Sequence, residues 1–98
     1  MTESEMKLRT KQFGLAIMKL VATLPRTDVA RPLGQQLIRS ATSVGANYRA
    51  ACRARSSAEV ISKLGIVEEE ADESAFWLEL IEEGDILPPI SVRPIWRG

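Results

Sequence analysis

Apolar residues recur at helical spacing through three stretches of this chain, and each stretch is bounded by capping or helix-breaking residues. Phe13, Ile17, Leu20, Val21 and Leu24 share one face of a predicted helix over about residues 4–24, which Pro25 closes. Leu33, Leu37, Ala41, Val44, Tyr48 and Ala51 form the apolar stripe of a second helix, over about residues 31–54, with Ile38 and Cys52 widening it. Pro32 suits the first turn of that helix. The third helix is predicted over residues 57–83. Ser56 and Glu59 fit a capping box, with Ser56 as N-cap and Glu59 reaching back from the third helical position. Val60, Leu64, Val67, Ala71, Ser74, Leu78 and Ile81 then hold a 4-3 spacing, the period of a helical bundle. Gly84 stands where a C-terminal cap residue is expected.

Beyond Gly84 the pattern changes. Pro88, Pro89 and Pro94 argue against a regular helix, so residues 85–98 read as an irregular, extended tail. Ile86, Leu87, Ile90, Val92, Ile95 and Trp96 are too apolar for a free tail, so the segment is expected to pack on its own bundle or on a neighbour. The fold class that follows is all-α: one domain over residues 1–98, an antiparallel up-down bundle of three long helices with a proline-rich C-terminal segment.

Charge adds a second layer to the helical pattern. The chain is neutral overall, yet residues 26–55 carry six arginines and one acid, while residues 59–85 carry ten acids and one lysine. A basic second helix lying against an acidic third helix would pair these charges; a basic surface left free would suit nucleic acid. The second helix also carries small residues among its arginines. Gly34 and Gly45 each cost about 1 kcal/mol relative to alanine, which points to close packing at both. Ser43, Ala46, Asn47 and Ala50 are the candidates for a helix-packing or oligomer interface, and Asn47, beside the apolar stripe, is a candidate specificity device. Arg39, Arg49, Arg53 and Arg55 are the candidate binding set for RNA, DNA or a protein partner, because guanidinium forks bind phosphate and carboxylate in pairs.

Composition narrows the function classes. No apolar run approaches the roughly 18–20 residues that span a bilayer. The N-terminus has no apolar stretch of signal-peptide type, so a cytoplasmic location is expected. The chain has no histidine, which excludes Ser/His/Asp and Cys/His catalytic groupings and the Glu-x-x-His pairs of di-metal bundles. Cys52 is the single cysteine and reads as a small core residue. The carboxylates Glu68, Glu69, Glu70, Asp72 and Glu73 read as a solvated, ion-pairing face; Glu69 and Glu73, one turn apart, are at most a weak cation site. Gly34, Gly45 and Gly65 are isolated within helices and form no phosphate loop. No catalytic residue, cofactor or metal site is predicted.

The run SVGANYRAACRARS, followed at once by a capped helix containing GIVEEEADES and WLEL, resembles the four-helix bundle family named for the 23S ribosomal RNA intervening sequence protein. The matching positions are Ser43 to Asn47, Arg53, Ser56, Glu68 to Ser74 and Trp77 to Leu80, within residues 7–84. The resemblance implies an up-down bundle that forms ring-shaped homo-oligomers, often pentamers. It also implies kinship with the nucleic-acid-binding accessory proteins of diversity-generating retroelements, and no catalytic activity. This chain departs from the family pattern in lacking the usual fourth helix after the third. The function expected is a non-enzymatic, self-assembling interaction protein, with a nucleic-acid-binding accessory factor as the alternative.

Overall fold

Four α-helices make up the computed structural model, which describes the backbone of residues 1–97 and the side chains of residues 1–95. They are α1 (Glu3–Ala22), α2 (Ala30–Cys52), α3 (Ser57–Glu83) and α4 (Pro89–Arg97). The all-α bundle read from the periodicity is therefore the architecture, with one correction. The segment expected to be irregular holds a nine-residue fourth helix.

The prolines explain why α4 can form. Pro88 and Pro89 lie at its start, where a helical N–H has no partner inside the helix. Pro88 even contributes its carbonyl, which accepts from the N–H of Ser91 at 3.0 Å. Pro94 withholds one bond, the one that would run to the carbonyl of Ile90. Ile90 is 82 % exposed, so water reaches that position. Counting prolines missed that two of the three sit where their missing donor costs nothing. The predicted packing of the segment is present: Val92 is fully buried, and Ile86, Leu87 and Ile95 lie against the core. The expectation for Trp96 lies outside the described side chains.

Most helix ends have an identifiable local cause. Thr2 caps α1 by accepting from the N–H of Glu5 at 3.1 Å. Helix α1 stops at Ala22, two residues before the predicted Leu24, because a residue preceding proline avoids helical geometry. Thr27, not the nominal cap Val29, serves α2: its hydroxyl accepts from the N–H of Ala30 at 3.0 Å. Ser56 caps α3 as expected, accepting from Glu59 at 3.1 Å, but the Glu59 carboxylate reaches the N–H of Arg55 rather than that of Ser56. At the far end of α3 the left-handed residue is Asp85 (φ 56°), not Gly84 (φ −82°). The N–H groups of Asp85 and Ile86 close on the carbonyls of Glu82 and Ile81, a Schellman arrangement with Asp at the position glycine favours.

Ile17 and Leu20 from α1, Leu37 and Ala41 from α2, Leu78 and Ile81 from α3 and Val92 from α4 form one buried cluster. Helix α2 is the centre of the bundle, packing on α3 along one side and on α1 along the other. Helices α1 and α3 bring no Cα pair within 8 Å of each other. They are joined instead by α4, which packs against both.

Candidate functional site

The seam between α2 and α3 contains the most organised polar chemistry in the chain. Ser40 and Ser74 are fully buried on facing helices, with their hydroxyl oxygens 2.8 Å apart. Two hydroxyl protons serve three contacts there. The shorter pair of distances gives the assignment: Ser74 donates to the Glu70 carbonyl at 2.9 Å, and Ser40 donates to Ser74. The third contact, Ser40 to the Leu37 carbonyl, is the longest at 3.2 Å. Small hydroxyl side chains let the two helices approach closely while leaving no buried polar atom unpartnered among the described residues.

Arg39 closes the same seam at the surface. Its guanidinium bonds to Glu70 at 3.0 Å and to Glu73, and its Nε donates to Gln36 at 3.3 Å. The Trp77 indole donates to the same Glu73 carboxylate at 3.2 Å. The hydrogen bond from Arg39 pulls the Glu73 carboxyl below its ordinary range; partial desolvation opposes the shift, and the Trp77 donor assists it. The acidic partners also raise the Arg39 guanidinium above its ordinary value. Arg39 is thus a cross-helix clamp rather than a free cation.

The other three arginines of the candidate set are arranged differently. Arg49, Arg53 and Arg55 are exposed at the C-terminal end of α2 and in the turn after it, and none has an ion pair among the described residues. The candidate interface residues also divide. Ser43, Asn47 and Ala50 are half-buried, and Asn47 donates to the carbonyl and the hydroxyl of Ser43 on its own helix at 3.0 and 2.8 Å. Ala46 is exposed. It lines a shallow groove of about 410 Å³ between α1 and α2 together with Gly14, Leu15, Met18, Gly45 and Arg49.

A second groove, of about 470 Å³, opens on the far side of the bundle between α1 and α3. Phe13, Val44, Ala75 and Leu78 form its floor, and Ile95 of α4 also lines it. The apolar spacing of α3 did not say which stripe positions face this groove. It treated Leu64 and Ala71 as buried stripe positions, whereas both are exposed.

No three metal-ligating side chains converge among the described residues. No helix of the described residues is long and apolar enough to cross a membrane. Cys52 is a half-buried free thiol.

The sequence model of the 23S rRNA-intervening sequence protein family matches residues 2–95. A crystal structure of a protein of unknown function from the S23 ribosomal protein family of Bacteroides thetaiotaomicron is similar in fold and sequence. It has a TM-score of 0.89 and 33 % identity, over 97 % of this chain and 85 % of that one. No curated protein matches the chain in sequence.

Proposed function

Because this chain belongs to the 23S rRNA-intervening sequence protein family, we propose that it is a non-enzymatic helical-bundle protein that assembles with copies of itself. The observation that carries this reading is the apolar outer face of α1. Leu8, Leu15 and Met18 project from one side of that helix, each about half exposed, beside the groove that holds Ala46. Helix α3 presents a second apolar pair, Phe76 and Leu80, one turn apart. Two non-overlapping apolar faces on one chain suit a head-to-tail contact, which closes into a ring when the rotation between copies allows it. The family resemblance makes a pentamer the first ring size to test, and the cytoplasm the compartment in which to look for it.

Light scattering on a sizing column gives the test. The expected result is a defined multimer whose mass is the same at low and high salt, since the contact is apolar. Ala46→Arg and Leu15→Glu should each reduce it to the monomer mass. A monomer under all conditions, or a multimer indifferent to both substitutions, overturns the reading.

Arg49, Arg53 and Arg55 support a second reading, a nucleic-acid-binding accessory role, because these three cations are exposed and without ion pairs among the described residues. Binding to an RNA probe should then fall steeply between about 50 and 200 mM salt, and Arg49→Glu with Arg53→Glu should abolish it. Arg39 belongs to the α2–α3 clamp, so its substitution should act on stability and leave RNA binding intact.

A further inference from the structure

The outer stripe of α3 and the groove between α1 and α2 are opposites in shape and in charge. Glu69, Glu73, Phe76, Leu80 and Glu83 follow one another along α3 at 4-3 spacing and so share one stripe. An apolar pair stands at its middle and carboxylates at both ends. Phe76 is 51 % exposed and Leu80 38 %. Glu69 and Glu83 are exposed, and neither has an ion pair among the described residues.

Phe76 is held in place within its own chain. Its ring meets Trp77 edge to face, with ring centres 5.2 Å apart. Trp77 packs against the core, and its indole donates to Glu73 at 3.2 Å. Arg39 of α2 holds Glu73 in turn. An aromatic side chain fixed in this way loses little freedom when a partner covers it.

The α1–α2 groove offers the matching surface. Gly14 and Gly45 leave its floor without side chains where the two helices cross. A Cβ placed on Gly45 would lie 3.5 Å from the Thr10 carbonyl oxygen, and one on Gly14 would lie 4.0 Å from that of Ala41. Leu15 and Met18 line the groove from α1 and Ala46 lines it from α2. Lys11 and Arg49 line it too, one from each helix, and no acidic side chain joins them among the described residues. Both cations are exposed, and neither has an ion pair among the described residues.

Building on the self-assembly reading above, we propose that the Phe76–Leu80 ridge of one copy seats in the α1–α2 groove of the next. The Phe76 ring rests on the Gly14–Gly45 floor, and the flanking carboxylates face Lys11 and Arg49. The occupant is a second copy because one chain carries both halves of a charge-complementary pair. Phe76, exposed in its own chain, does not fill its own groove. The apolar pair supplies affinity, and the charges steer the approach and select the mate. Two acidic ridges repel each other, as do two basic grooves, so a two-fold pairing through either face is disfavoured and the head-to-tail contact is left.

Charge exchange in the full chain tests this pairing. One variant carries Lys11→Glu with Arg49→Glu, the other Glu69→Lys with Glu83→Lys; all four positions are exposed. Light scattering should find a multimer for the wild type and a monomer for each variant alone, because groove and ridge then carry the same sign. Mixed in equal amounts, the two variants should assemble again, because every contact between alternating copies is complementary. Phe76→Ala, which changes no charge, should dissociate the wild-type multimer. Added salt should slow association about tenfold and leave the final mass unchanged. A monomeric wild type would overturn the self-assembly reading and this pairing with it. A wild-type multimer that persists in both charge variants or in Phe76→Ala, or charge variants that stay monomeric when mixed, would overturn this pairing alone.

Discussion

The two flanks of α3 are built from one repeating pattern and end in opposite states. The flank against α2 is sealed: Ser74 and Leu78 are buried, the Ser40–Ser74 pair is satisfied, and Arg39 ties Glu70 and Glu73 across the surface. Among the described residues the flank toward α1 is covered by α4 at one end and elsewhere leaves an apolar floor edged with carboxylates that have no described ion-pair partners. Among the described residues the two flanks differ in how much of each a partner helix covers. Helix α2 has 23 residues to set against α3, and α4 has nine. A periodic apolar stripe specifies a surface able to pack; it does not supply the element that packs on it.

The largest expected effect breaks or sharpens this contrast directly. Leu37 is fully buried at the centre of the sealed side, so Leu37→Ala should cost about 3 kcal/mol in urea unfolding, the lost transfer energy plus a cavity. Ile95 is half-buried in the last turn of α4 and lines the α1–α3 groove. Ile95→Ala should cost about 1 kcal/mol, because fewer contacts are lost and no closed cavity forms. Equal losses at the two positions would mean that the α1–α3 side is as well packed in solution as the α2–α3 side.

The serine pair gives the next effect. Ser74→Ala leaves Ser40 its weaker bond to the Leu37 carbonyl, so no buried hydroxyl is orphaned, and the cost should be about 1 kcal/mol. Ser74→Val should cost more, about 2 kcal/mol, since the added methyl groups must push the two helices apart. If Ser74→Val were neutral or stabilising, the close approach attributed to the two hydroxyl residues would be wrong.

Most of the sealed side was legible in the sequence, and most of the open side was not. The stripe Leu37, Ala41, Val44 and Ala51 and the cap at Ser56 follow from local rules, because each depends on neighbours within a turn or two. Charge segregation anticipated that α2 would lie against α3, and Arg39 is where that pairing takes place. Three features escaped. Helix α4 was hidden by its prolines, whose effect depends on their position in the helix rather than on their number. The left-handed turn fell on Asp85 although Gly84 stood next to it, because the fold fixes where the chain must reverse and the residue only sets the cost. The exposure of Leu64 and Ala71 escaped because burial at these positions depends on an element distant in sequence, which periodicity does not describe.

The smallest effect concerns the clamp, and its sign follows from the shifted carboxyl. Glu73 is held below its ordinary pKa by Arg39, so the folded state binds the proton less readily than the unfolded chain does. The stabilisation from this pair is fully present above the unfolded carboxyl range, near pH 5 and higher, and is lost as pH falls through the folded value. Both partners are partly exposed, with side-chain exposures of 50 % for Arg39 and 33 % for Glu73, so solvent and salt screen the interaction. Arg39→Gln should therefore lower the thermal midpoint slightly at neutral pH, and the gap between variant and wild type should close as the buffer is taken below about pH 4. Added salt should narrow the same gap at neutral pH. A gap that persists unchanged in acid would assign the role of Arg39 to the packing of its aliphatic stem over α3 rather than to its charge.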